Sequence, residues 1–467
     1  MPGPSHAHRS RIIAGMILCC ALSSCATYRA KPLQPVYDSG PAPERIRVDV
    51  HAMPLPELAE HRFDPSDGLD MTETAMLAIA NNPDLRLARD ELGIARAQAF
   101  AAGLLPDPQL SVADDYPAPP GPGLTRAFNY GLSIDVMAIL MRSSNRHSAN
   151  ASAAKTDLGL LWQEWQVVAQ ARQLFLKAVF LDREIPLLNS LHALAQQRYL
   201  VSAQAVDAGN LTADAQTLVL TAAQDAARQL ADAQLQRVQT RHDLNALLGI
   251  NAQTDLHLVD MDHFVPLDAA QVHAALADLP QRRPDLLALK AGYRAQEIKY
   301  RAAILGQFPN LTLGFVRARD TSDVYTSGFQ ANLSLPIFNR NRGNIAIERA
   351  TRARLNDELQ NRMHQAYADV DRLQAAAEIS IREQAQLAAE LPQFARTARE
   401  TQKALHDHNL PLSAYTDAQT AWLSKEIEAA TLKENLAEQR VALQALLGAP
   451  LPDAYSNDRR LTEGYAE

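Results

Sequence analysis

His406-Asp407-His408 sets two imidazoles and a carboxylate side by side, the groups that bind divalent metals or move protons. Their spacing does not suit a helical metal site, because residues i and i+2 do not share a helix face. Two solvated turn histidines is the plain reading of His406 and His408; a loop that turned both rings inward is the alternative. His147, His192, His242 and His364 stand singly on helical patterns and read as surface or interface residues. Asp114-Asp115 lies beside prolines and reads as a turn, not an acid–base dyad. Trp162, Trp165 and Phe175 recur at helical spacing and read as packing. No nucleophile elbow, H-E-x-x-H pair or phosphate loop occurs, and Cys19 and Cys20 lie within the N-terminal leader with Cys25 directly after it, leaving no Cys–His pair. These residues point away from enzymes, including a lipid-anchored hydrolase, and call for no cofactor.

Composition narrows the partners. The 467 residues carry 45 basic and 53 acidic groups, a net charge of −8, with no basic run after the leader, which argues against nucleic acid. Only 19 glycines and 6% aromatics, with abundant Ala, Leu and Gln, favour helix over sheet.

The leader itself has a clear grammar. Arg9 and Arg11 precede an apolar run, Ile12 to Leu22, too short to span a bilayer. The following Leu22-Ser23-Ser24-Cys25 resembles the bacterial lipoprotein box, which implies removal of residues 1–24 and acylation of Cys25. Ala26, rather than Asp, implies delivery to the outer membrane. Residues 25–70 are Pro-rich and read as a tether or strap rather than a core.

The elements that follow are written twice. Pro83 to Val112, shifted by 201 positions without a gap, becomes Pro284 to Leu313, with Pro-Asp-Leu, Ala-Ala, Leu, Pro and Leu matched. Leu247-Leu248-Gly249 is echoed by Leu446-Leu447-Gly448. So long a unit is a duplicated half-molecule, not a solenoid repeat of about 20–50 residues. The halves are read as 71–250 and 271–448, with a linker at 251–270 and a tail at 449–467. Each has a helix before the Pro-Asp-Leu start, at 72–81 in the first half, then a helix ending near Pro106 or Pro309. A strand hairpin follows, at about 109–135 and about 310–335, alternating apolar with polar or small residues. Very long helices follow at 148–205, returning to 248, and at 344–405, returning over 412–447. Pro186 is expected to kink the first of these without ending it. Rods of 50 to 60 residues are roughly 80 Å long. Charges recur too often along them for a membrane span. The expected fold is mainly α with a small β part: two tandem repeats of long antiparallel helices, each with a two-stranded β-hairpin.

Strands of about ten residues suit a tilted bilayer crossing. Four strands in an open sheet would leave edge N–H and C=O groups unpaired in lipid, at several kcal/mol each. Closure therefore needs further copies: single-chain barrels begin at about eight strands, so two chains are the minimum and three give twelve.

The duplicated Asn-Pro-Asp-Leu and Arg-Pro-Asp-Leu starts, AGLLPDPQLSV and ILGQFPNLTL, Leu333 to Phe338, Tyr415-Thr416-Asp417-Ala418-Gln419 and the closing Leu-Leu-Gly of each half resemble the TolC-type outer-membrane efflux channels over 72–448. The style, with its lipoprotein start, is similar to the heavy-metal and multidrug subgroup. The resemblance implies a homotrimer whose 12-stranded outer-membrane barrel continues into a periplasmic α-barrel. It also implies a periplasmic adaptor (a membrane fusion protein) and an inner-membrane RND-type pump as partners. The two hairpin tips, 206–214 and 406–417, would form the gate and the adaptor contact. Asp417 falls at the family's D-A-Q position, where carboxylates meet across the three-fold axis; such a ring would repel itself and attract cations. Asp407, Asp207 and Asp214 are further candidates. His408 stands where the family often has Gly, and Ala414 where it has an acidic residue. The competing reading of Asp417 is a solvated helix-start carboxylate. The competing function is a periplasmic coiled-coil scaffold or adaptor lipoprotein that never enters lipid, which would have no use for the two alternating hairpins. The exported cargo, metal cation or drug, is not written in the chain.

Overall fold

The computed structural model describes residues 28–33, 46, 48–118, 121–259 and 269–448; Cys25, part of the linker and the tail 449–467 lie outside the described residues. Residues 28–33 fall in a short separate unit, exposed and irregular; the unit from Gly40 holds the helices and strands that follow.

Helix α1 (Met71–Asn81) starts at a capping box: Asp70 accepts from the Glu73 N–H at 2.7 Å, and the Glu73 carboxylate accepts from the Asp70 N–H at 3.1 Å. It is buried on nearly every side, its apolar run Ala75 to Ile79 in the core and its polar Glu73 and Asn81 satisfied by the hydrogen bonds they make at its ends. Asn82 ends it and caps α2 (Pro83–Ala102), accepting from the Leu85 N–H at 2.9 Å, while Pro83 fills a first-turn position whose N–H needs no partner. Strands β1 (Gln109–Asp115) and β2 (Ala127–Asp135) follow. Asp135 closes β2 and also caps α3 (Val136–Asp207), accepting from the Ala138 N–H at 2.9 Å. The long helix therefore begins directly after the strand, not at the stripe near 148. Its first turns, Val136 to Met141, are apolar all round and carry no amphipathic signal. At 72 residues α3 is about 110 Å long, and it continues through Pro186 as expected. Helix α4 (Ala213–Leu247) returns beside it.

The second half repeats the plan with α5 (Ala269–Ala277), α6 (Pro284–Leu305), β3 (Asn310–Arg319), β4 (Tyr325–Ser334), α7 (Arg342–His406) and α8 (Leu412–Leu447). The strands form one antiparallel sheet in the order β1-β2-β3-β4, so the two hairpins join through β2 and β3. Helix α3 is central, packing against α1, α2, α4, α6 and α8.

The main core gathers Met76, Leu77, Leu85, Leu161, Trp165, Leu244 and Leu248 from α1 to α4. In the second half Leu279, Leu286 and Ala366 form the matching knot, and Leu85 and its repeat partner Leu286 are both fully buried. Part of the Pro-rich segment read as a tether also enters the core: Met53, Leu55 and Leu58 are buried in it. Leu69 is then stitched to the linker, donating to His257 O at 2.8 Å and accepting from Val259 N–H at 2.9 Å. Each half closes on itself by one device. Asn81 Nδ2 donates to the carbonyls of Leu248 and Gly249 at 2.8 and 2.9 Å, and Arg282 Nη2, the repeat equivalent, donates to Gly448 O at 3.2 Å.

Candidate functional site

The sheet separates its residues by chemistry as well as by position. Across the four strands Leu110, Leu132, Phe315 and Phe329 lie in one row, and Ile134, Leu313 and Ala331 in another on the same face. The opposite face carries rows of Ser111, Gly131, Val316 and Gly328, and of Ser133, Gly314 and Gln330. Leu110 and Phe329 are 72% and 94% exposed, so one chain presents an uncovered apolar face. Near the β3–β4 turn, Phe128 stacks on Tyr130 at 4.8 Å, and Arg319 lies over Phe128 and Tyr325 at 5.5 and 5.8 Å. Aromatic and basic groups at one end of an apolar band are the pattern of a membrane–water boundary. Strands β1 and β4 are the two edges. Among the described residues no helix is long and apolar enough to cross a membrane.

At the other end of the rods lie the two turns. In the first, α3 ends at Asp207; Gly209 takes φ +73°, and the Asn210 N–H reaches back to Ala205 O at 2.7 Å. In the second, α7 ends at His406; His408 takes φ +54°, and the Asn409 N–H reaches Ala404 O at 2.8 Å. The turns are the same helix-ending motif, with a left-handed residue that favours glycine. His408 thus carries left-handed strain, and His408→Gly is expected to raise stability by about 1 kcal/mol in thermal unfolding. Asp207, Asp214, Asp407, His406 and His408 are all exposed at these turns. Among the described residues no group of three or more His, Cys, Asp or Glu is placed to hold a metal ion.

Asp417 differs from them. Its carboxylate pairs with the Arg198 guanidinium of α3, which ties the second hairpin to the first. Of the adjoining residues, Thr416 is buried, and Gln419 faces its own hairpin, its Nε2 donating to Ala398 O of α7 at 2.8 Å. Arg198 was not among the residues singled out from sequence. It lies 219 positions from Asp417, and one arginine among many on a helix gives no signal of its partner. Beside this pair, α3, α4 and α8 enclose a cavity of about 290 Å³ lined by Leu191, Leu194, Asp225, Thr416, Thr420 and Ser424 among others.

Comparisons with known proteins agree with this geometry. Residues 275–449 match the outer membrane efflux protein family. No curated protein sequence matches the chain. Among solved structures, a membrane protein from Pseudomonas aeruginosa is similar at TM-score 0.68 and 20% identity, covering 92% of this chain and 98% of that one. The Campylobacter jejuni CmeC outer membrane channel is similar at TM-score 0.67 and 15% identity, covering 93% and 98%. The open state of the Neisseria gonorrhoeae MtrE outer membrane channel is similar at TM-score 0.61 and 18% identity, covering 81% and 89%. Long paired helices, one shared four-stranded sheet and a matching second half are what the chain has in common with these: it has the fold of the outer membrane channels, and its residues 275–449 match the outer membrane efflux protein family.

Proposed function

We propose that the chain is the outer-membrane exit duct of a tripartite efflux system, acting passively and without catalysis. The observation that carries this reading is the sheet, with its apolar face uncovered and both edges open. Three chains would close it into twelve strands, satisfying the edge groups and covering the apolar face with lipid. The rods would then line a tube leading from the barrel. In this reading 71–250 and 271–448 are the two channel repeats on either side of the linker 251–270, and acylated Cys25 with the following tether holds the assembly at the outer membrane. A periplasmic adaptor would dock at the helical tips, an RND-type pump in the inner membrane would supply the energy, and the cargo would be metal cations or drugs.

In the same reading the tip residues Asp207, Asp214, Asp407 and Asp417 face the aperture, and the Arg198–Asp417 pair restrains its opening. As an exposed pair it contributes roughly 0–1 kcal/mol, so Arg198→Ala should leave the melting temperature nearly unchanged. A bias of that size shifts an open–closed equilibrium by up to about fivefold, which single-channel recording resolves. Purified protein in planar bilayers is expected to show discrete conductance steps, with Arg198→Ala open more of the time. Crosslinked material should run as a trimer. A monomer without conductance or a sheet signal in the infrared would instead favour the periplasmic scaffold.

A further inference from the structure

The seam between α3 and α8 joins the two helical hairpins. Its centre is apolar: Phe175, Leu176, Val179 and Phe180 of α3 bury against Ala437 and Val441 of α8. Four half-buried charged residues flank that contact, Lys177 and Glu184 on α3 and Glu434 and Glu438 on α8. Three half-buried carboxylates with one ammonium among them cannot all ionise without repulsion. The other charged groups nearby are engaged or face elsewhere. Asp182 pairs with Arg237 of α4 at 2.7 Å, Arg183 lies over the Phe180 ring at 5.7 Å, and Lys433 lines the groove toward α7. Helix α7 meets the seam with neutral groups, Ser380 accepting from Gln439 Nε2 at 3.3 Å and Gln384 beside the groove.

The same level is mechanically weak. Pro186 interrupts the hydrogen-bond ladder of α3 and Pro392 that of α7. Leu187, next to the first proline, and Pro392 line one cavity of about 620 Å³ with Phe180, Arg183, Leu391 and Lys433. One interrupted ladder lines this groove at Pro392 and the other lies one residue from it, at Pro186 beside Leu187, which allows bending that a packed, regular seam would resist.

We propose that this level is a proton-sensitive hinge: with Glu434 neutral the hairpins pack along the α3–α8 seam, and its ionisation loosens them. Burial, reinforced by Glu438 and Glu184 and opposed by Lys177, pushes the Glu434 carboxyl from 4.5 up to about 7. Burial also raises Glu184 and Glu438. The packed seam therefore binds the proton more tightly than the loosened one. Its packing is strongest below the ordinary value of 4.5 and weakens as pH rises from there through about 7. The inference needs only the packing within one chain and stands apart from the duct reading.

Amide hydrogen exchange of the full-length protein in detergent, corrected for intrinsic rates, tests it between about pH 5 and pH 8. Protection of amides in 177–187 and 430–441 is expected to fall by about tenfold across that range and to level off above the Glu434 value of about 7. Glu434→Gln should keep the protection higher and remove most of the fall, leaving only the smaller response of Glu184 and Glu438. Lys177→Gln removes the opposing charge and should move the levelling-off upward in pH. A flat wild-type profile, an unchanged response in Glu434→Gln, or an unmoved levelling-off in Lys177→Gln would each overturn the hinge. The helix signal in circular dichroism shows that each variant is folded.

Discussion

Asp285→Ala is expected to lower stability by about 3–5 kcal/mol, the cost of leaving a buried charge without its partner, whereas Asp84→Ala should cost only about 0.3–1 kcal/mol. The two aspartates occupy the same place in the duplicated Pro-Asp-Leu motif. Asp285 receives Arg283 Nε at 3.0 Å and Nη2 at 2.8 Å, and the two side chains are 2% and 6% exposed. The guanidinium also lies 4.8 Å from the centre of the Trp162 ring, so it cannot swing to solvent without leaving that contact. Arg362 approaches the same carboxylate at 3.7 Å. Asp84 is exposed and complements only the start of α2. Thermal or denaturant unfolding in detergent measures both variants. Equal losses would show that the ion pair contributes little. The double change Arg283→Met with Asp285→Leu removes both charges together and should recover most of the loss, since an apolar pair of similar volume is often neutral.

The glycines that close each half give the second large effect. Gly448 holds φ +74° and ψ 154°, a conformation essentially reserved for glycine, and a Cβ there would stand 2.7 Å from Trp165 Cζ3. Backbone strain of about 1–3 kcal/mol and overpacking of a similar size should make Gly448→Ala cost about 2–5 kcal/mol. Gly249 holds φ +62°, and its Cβ would meet the Asn81 carbonyl oxygen at 2.6 Å, so Gly249→Ala should be comparable. Gly209 has a similar φ, +73°, but nothing within 4 Å; Gly209→Ala should cost only the strain, about 1–2 kcal/mol. Unfolding midpoints for the three variants separate crowding from strain. A Gly209→Ala loss as large as that at Gly448 would mean that the Trp165 contact is unimportant.

The tip and the seam show how far residue types alone reach. The Tyr415-Thr416-Asp417-Ala418-Gln419 stretch marked Asp417, and periodicity marked α3 and α8 as long helices. That Asp417 meets Arg198, and that Glu434 lies between Glu184 and Lys177, follows from which faces of those helices touch. A helix sequence shows that a face is apolar; it does not name the helix that will cover it. The strap residues Met53, Leu55 and Leu58 were hidden for a related reason: a few apolar residues among prolines carry no period.

By itself the sequence determined the duplication, the order of helices and hairpins and the alternation of the strands, because these rest on local periodicity, caps and turns that each segment carries within itself. Only the tertiary structure decided that the two hairpins share one sheet, that Asp285 is buried while Asp84 is not, and that an unmarked arginine faces Asp417. Those outcomes depend on burial and on contacts between residues as far as 219 positions apart, where identical motifs meet different neighbours.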